Sequence, residues 1–126
     1  MRQAYSSPDA PTEQEAYTHA VEAQGFVFTA GQVPMTPDGT LVDGTVAEKT
    51  HQIMSNLEAI LAEAGTGFED VVRTTAYFTD IDDFGEMDDA YAEYFDSTPP
   101  ARDVIQVEAL PGGAEIELVM VASLES

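Results

Sequence analysis

The chain has 126 residues, which fits one domain spanning 1–126 and allows a real core without staples. Asp and Glu number 24 against 4 Lys and Arg, giving a formal net charge of −20, so no basic face can form for a nucleic-acid backbone or an anionic membrane surface. There is no Cys, which excludes disulfides, Cys–zinc sites and thiol catalysis. The acidic excess reads either as a solvated surface that keeps the protein soluble or as adaptation to high salt, and the near-absence of Lys favours the second. No apolar run approaches bilayer length, and Met1 to Pro11 is polar and lacks a signal-peptide core, so a cytoplasmic protein is expected.

Residues 1–16 read as a short strand and a loop. Tyr17 to Ala23 and Phe26 to Thr29 read as two strands joined around Gln24-Gly25, with Phe26 and Phe28 on one face. Ala30-Gly31-Gln32-Val33-Pro34 ends the second, and Pro37-Asp38-Gly39 is a turn. Thr45 and Glu48 have capping-box spacing and open a helix. Val46, Thr50, Ile53, Leu57, Ile60, Leu61 and Ala64 form its apolar stripe, and Gly65 stops it. His51 falls off the stripe and is expected to be exposed; His19 is likewise read as a surface residue.

Val71 to Thr79 is a strand, with Val72, Thr74, Ala76 and Phe78 facing one way and Arg73, Thr75 and Tyr77 the other. Asp82-Asp83 opens a second helix with a stripe of Phe84, Met87 or Asp88, Tyr91, Tyr94 and Phe95, stopped by Thr98-Pro99-Pro100. Arg102 to Leu110 and Ala114 to Leu124 read as two strands of a hairpin around Pro111-Gly112-Gly113. The order predicts an α+β fold, a mixed sheet with both helices on one face. The last strand is apolar on both faces. The face away from the helices therefore needs a cover, most simply another copy of the chain.

Chemistry-bearing motifs are few. There is no phosphate-binding glycine loop, no metal-ligand spacing around His19 or His51, and no calcium-loop pattern among the carboxylates. Arg102 enters a strand in a chain that avoids cations. It is either a structural salt bridge or a guanidinium fork for a carboxylate or phosphate. Glu117 sits mid-strand beside Val119 and Val121. It is either an exposed edge glutamate or an acid/base carboxylate with raised proton affinity. Tyr17 and Gly31 read as packing and permissive backbone, respectively.

Taken together, Thr29 to Pro34, Val72 to Tyr77, Phe84 through Tyr91 to Phe95, Pro100-Ala101-Arg102, and Ala109-Leu110-Pro111 followed by Glu115-Ile116-Glu117 resemble the RidA/YjgF family of enamine/imine deaminases, also called L-PSP-type endoribonucleases. The resemblance implies a chorismate-mutase-like α+β subunit and a homotrimer with clefts between subunits. It implies hydrolysis of reactive 2-imino acids to 2-keto acids and ammonia, without metal or organic cofactor. By position, Arg102 would bind the substrate carboxylate and Glu117 would activate water and carry a proton. The backbone at Gly31 and Val104 would hold substrate and water, and Tyr17 would close the pocket. Three positions depart from the family's active deaminases: Ala30 stands for serine, Asp88 for asparagine and Val104 for cysteine. A non-catalytic trimer that binds small carboxylates is the alternative that Ala30 and Asp88 motivate.

Overall fold

The computed structural model describes residues 2–124. Six strands form one mixed sheet: β1 (Gln3–Tyr5), β2 (Ala20–Ala23), β3 (Phe26–Thr29), β4 (Val71–Phe78), β5 (Ala101–Gln106) and β6 (Ile116–Ser123), in the order β1-β2-β3-β6-β4-β5. Two helices, α1 (Val46–Glu63) and α2 (Phe84–Ala92), pack on one face. This is the α+β architecture expected from the element order.

Local signals explain most boundaries. Gln24 and Gly25 have φ of 55° and 80° and link Ala23 to its partner Phe26, a two-residue loop whose twist suits antiparallel strands. Thr45 Oγ1 accepts from the Glu48 N–H at 3.1 Å, and Glu48 Oε1 accepts from the Thr45 N–H at 2.8 Å, so the capping box is closed in both directions. Ile53, Met54, Leu57, Ile60 and Leu61 of α1 are fully buried. Each such side chain contributes about 1.5–3 kcal/mol. They meet Ile116, Leu118, Met120 and Ala122 of β6, also fully buried.

Several expectations are corrected. The last two strands do not form a hairpin, because β4 lies between them, parallel to β5 and antiparallel to β6. Burial explains the order. β6 is buried at every second residue and half-buried between, so it takes an interior place, whereas β5 is largely exposed and takes the edge. β5 also ends at Gln106, short of Leu110. β2 starts at Ala20, so Tyr17 is in the preceding loop. The register of β4 against β6 shifts between Val71 and Arg73, and this bulge leaves Val72 exposed rather than facing the core with Thr74. α2 ends at Ala92. Tyr94 and Phe95 follow it, packing edge-on and tilted against Phe68.

His19 is not on the surface. Its ring is fully buried, Nδ1 accepts from the Ser7 N–H at 3.0 Å, and Nε2 lies 2.6 Å from the Pro11 carbonyl to which it donates. Both ring nitrogens are satisfied by backbone, which makes the burial tolerable and ties the 7–11 loop to β2. His51 is half-buried, with Nδ1 2.7 Å from the Tyr94 hydroxyl.

The sheet face opposite the helices stays open in the single chain. Phe26 and Phe28 of β3 are 40% and 47% exposed, and Ile105 of β5 is 40% exposed. Val121 sits beside Phe28, so apolar side chains run across neighbouring strands.

Candidate active site

The seven residues singled out in the sequence fall into two groups on opposite faces of the sheet. Tyr17, Ala30, Gly31 and Glu117 line one cavity of about 850 Å³, together with Pro11 and Pro111. Arg102 and Asp88 line a second, of about 460 Å³, with Tyr91, Phe95 and Pro100. Val104, two residues after Arg102, shares its face and packs partly buried against the core.

The first group is assembled by a short bridge. The Gln32 N–H donates to the Leu118 carbonyl at 2.9 Å, and the Leu118 N–H donates back at 3.0 Å. This pins the segment after β3 alongside β6 and brings Gly31 against Glu117. A Cβ built at Gly31 would lie 2.5 Å from Glu117 Oε2 and 2.6 Å from its Cδ. Gly31 lacks a left-handed φ. Its smallness therefore serves close approach to a carboxylate, not the backbone freedom expected from sequence.

Glu117 pairs in register with Tyr77 of β4 on the open face. It is half-buried, and burial pushes its carboxyl above the ordinary range. No described residue donates a hydrogen bond to it, so its lone pairs remain available. Tyr17, 46% exposed, stands at the rim of the same cavity.

The second group is built on α2 and the edge strand. Arg102 pairs in register with Thr74, on the helix side. Its guanidinium carbon lies 5.0 Å from the ring centroids of both Phe84 and Tyr91, and the Tyr91 hydroxyl donates to Thr74 Oγ1 at 2.9 Å. Two aromatic rings thus fix the guanidinium. The i, i+7 spacing of Phe84 and Tyr91 predicts their shared face, but nothing in the sequence marks the cation above it. Arg102 Nη1 donates to Asp88 Oδ1 at 2.7 Å. The salt-bridge reading of Arg102 and the fork reading are therefore compatible, since one N–H of five is used.

The faces have a geometric consequence. Thr74 and Tyr77 are three residues apart on β4, so their register partners Arg102 and Glu117 point to opposite sides. The sheet separates them within one chain.

Comparisons with known proteins agree on family. The family model described as Endoribonuclease L-PSP matches residues 7–124. A 2-iminobutanoate/2-iminopropanoate deaminase of Rattus norvegicus is 42% identical over 123 residues, covering 97% of this chain and 90% of the rat protein. Among solved structures, yeast Mmf1 superposes with a TM-score of 0.95 at 32% identity, covering 98% of each chain. E. coli TdcF with bound serine superposes with a TM-score of 0.91 at 28% identity, covering 96% of this chain and 98% of that one.

Proposed function

This chain belongs to the Endoribonuclease L-PSP (RidA/YjgF) family, and from that premise we propose that it hydrolyses reactive 2-imino acids and their enamine tautomers to 2-keto acids and ammonia. The observation that carries this reading is Glu117: a half-buried carboxylate of raised proton affinity, free of protein hydrogen bonds, held against Gly31 in the wall of a cavity. The rat relative bears the name of a deaminase of this kind, and the E. coli relative holds serine, a small amino acid.

The chemistry asks for two functions that this chain keeps on opposite sheet faces. Arg102 offers a fork for the substrate carboxylate. Glu117 offers a base. Both reach one substrate when a neighbouring copy presents its Glu117 face to the Arg102 edge, and the exposed Phe26, Phe28 and Ile105 supply apolar surface for that contact. A cyclic homotrimer is the assembly we assign, with clefts completed between copies.

In such a cleft, Glu117 takes a proton from water as the water oxygen bonds to the imine carbon. The carbinolamine forms with a neutral amine, and the protonated Glu117 then gives its proton to that nitrogen. The C–N bond breaks as the carbonyl forms, and the hydroxyl proton passes through Glu117 to the departing ammonia, so one iminium and one water give one 2-keto acid and one ammonium ion with Glu117 ionised again. Backbone groups at Gly31 and Val104 would orient water and substrate, Ala30 would border them without a hydroxyl, and Tyr17 would close the rim. An iminium is already electrophilic, so orientation and one carboxylate account for the catalysis.

The test is release of ammonia and keto acid from imines generated in situ by an amino-acid oxidase. The expected result is acceleration over buffer that Arg102→Ala abolishes. No acceleration, or an Arg102→Ala enzyme as fast as the unmodified one, would defeat the proposal.

A second reading, a carboxylate-binding protein without turnover, is favoured by Asp88 on Arg102 and by the missing hydroxyl at Ala30. Calorimetric binding of a small carboxylate, amino acid or 2-ketobutyrate, with no turnover of imines generated in situ, would favour it. Ribonuclease action finds little support in the charges: Lys49 pairs with Glu115, Arg73 with Asp103 and Arg102 with Asp88, so no cluster of free cations for phosphates forms among the described residues.

A further inference from the structure

We infer that Asp88 makes the Arg102 site select a zwitterionic ligand, a small α-amino or α-iminio carboxylate, over the corresponding 2-oxo anion. This rests on the reading of Arg102 as a carboxylate clamp, and it assigns to Asp88 a specificity that the clamp alone would lack.

The argument begins with how the pair is held. Arg102 lies over the rings of both Phe84 and Tyr91 and cannot swing away without leaving both. Asp88, on the same helix as those rings, accepts from one Nη1 N–H at 2.7 Å. No other described residue accepts from the guanidinium, so most of the fork stays open toward the cavity that both side chains line. A ligand carboxylate that takes the open edge comes to lie beside the Asp88 carboxylate. Two carboxylates then share one guanidinium, which is unfavourable unless a positive charge also enters.

A protonated nitrogen one carbon from the ligand carboxylate supplies that charge at the right scale. Its N–H groups can donate to Asp88 while its carboxylate accepts from Arg102. The four charges then alternate in sign. A 2-oxo acid carries the same carboxylate but offers a carbonyl oxygen in place of the cation, and so faces Asp88 without compensation. The field of the whole molecule acts in the same direction. A chain of formal charge −20 repels a net anion but not a net-neutral zwitterion.

This selection has a direction along the reaction. The iminium substrate is a zwitterion, and hydrolysis removes its cation as ammonium. The keto-acid product is then the ligand that Asp88 disfavours.

The experiment is isothermal calorimetry with two non-reacting probes of equal carbon skeleton, L-2-aminobutyrate and 2-oxobutyrate. It compares unmodified protein, Asp88→Asn, Asp88→Ala and Arg102→Ala at pH 7 and fixed salt. The unmodified protein is expected to bind the amino acid more tightly. Both Asp88 variants should tighten 2-oxobutyrate and weaken the amino acid, moving the affinity ratio by about tenfold or more. A merely structural role for Asp88 would change both affinities together and leave the ratio alone. A ratio unchanged within about twofold in both variants, tighter 2-oxobutyrate binding by the unmodified protein, or no binding of either probe to it overturns the inference. If the ratio is unchanged while Arg102→Ala abolishes binding, the clamp survives and only the role of Asp88 falls. If Arg102→Ala leaves both affinities intact, the clamp itself falls.

Discussion

Replacing Gly31 by alanine adds one carbon, and the geometry says where it goes. The new Cβ would lie 2.5 Å from Glu117 Oε2, against an ordinary contact distance of 3.4 Å or more. The carboxylate must therefore retreat by about 0.9 Å, since the backbone of β6 is fixed by its ladders to β3 and β4. Glu117 is half-buried and makes no side-chain hydrogen bond with the described residues, so its side chain can give way at little cost to folding. Gly31 has no left-handed φ, so alanine brings no backbone strain there. Displacing a catalytic group by about 1 Å costs on the order of 100-fold in rate. The expected outcome for Gly31→Ala is a fall of about 100-fold in kcat/KM, carried mainly by kcat, with thermal stability changed by less than about 1 kcal/mol. The assay is ammonia release from an imine generated in situ, with a melting curve on the same sample. A variant within about threefold of the unmodified enzyme at unchanged stability would refute the argument. The base would then not act from the position that Gly31 makes possible.

Glu117→Gln should remove hydrolysis and raise stability at neutral pH. The carboxyl pKa is raised in the folded chain by burial, so ionising Glu117 costs stability above its folded pKa and costs nothing below the unfolded value. Melting temperatures of variant and parent should accordingly converge as the pH falls through that window; a gap that widens would contradict the assignment. Phe28→Asp places a charge in the open apolar face, and sedimentation should show smaller species than the unmodified chain forms; unaltered mass would mean that this face is not the contact. With 24 carboxylates against 4 cations, added KCl should raise the melting temperature by screening self-repulsion, and a flat salt dependence would refute high-salt adaptation.

What could be read from the sequence was what is decided locally. The capping box at Thr45 and Glu48, the stripe of α1 and the tight turn at Gln24-Gly25 each depend on a few adjacent residues, and each is present. The pairing of strands is decided elsewhere. Pro111-Gly112-Gly113 does turn the chain, but the strands on either side go to different neighbours because β4 competes for both. The same holds for His19. Its polarity suggested exposure, and only the Ser7 and Pro11 backbone groups folded onto it make burial affordable. Within the candidate site, residue identities were legible and their division was not. Arg102 and Glu117 stand out in the sequence by type and position, yet the sheet that separates them depends on the parity of β4, a strand that a hairpin pairing would not place between theirs. The hold of Phe84 and Tyr91 on the guanidinium, and of Asp88 beside it, arises only when α2 lies over the edge strand.

The separation of Arg102 from Glu117 by the sheet has a genetic consequence. If each cleft takes its arginine from one copy and its glutamate from the next, two dead proteins can make a live one. An Arg102→Ala chain still carries the glutamate, and a Glu117→Gln chain still carries the arginine. Mixed at random in equal amounts into a closed ring, about one cleft in four would draw an intact residue from each parent. Two null alleles in one cell would then complement each other, whereas any allele harming both faces of the sheet would not be rescued by either.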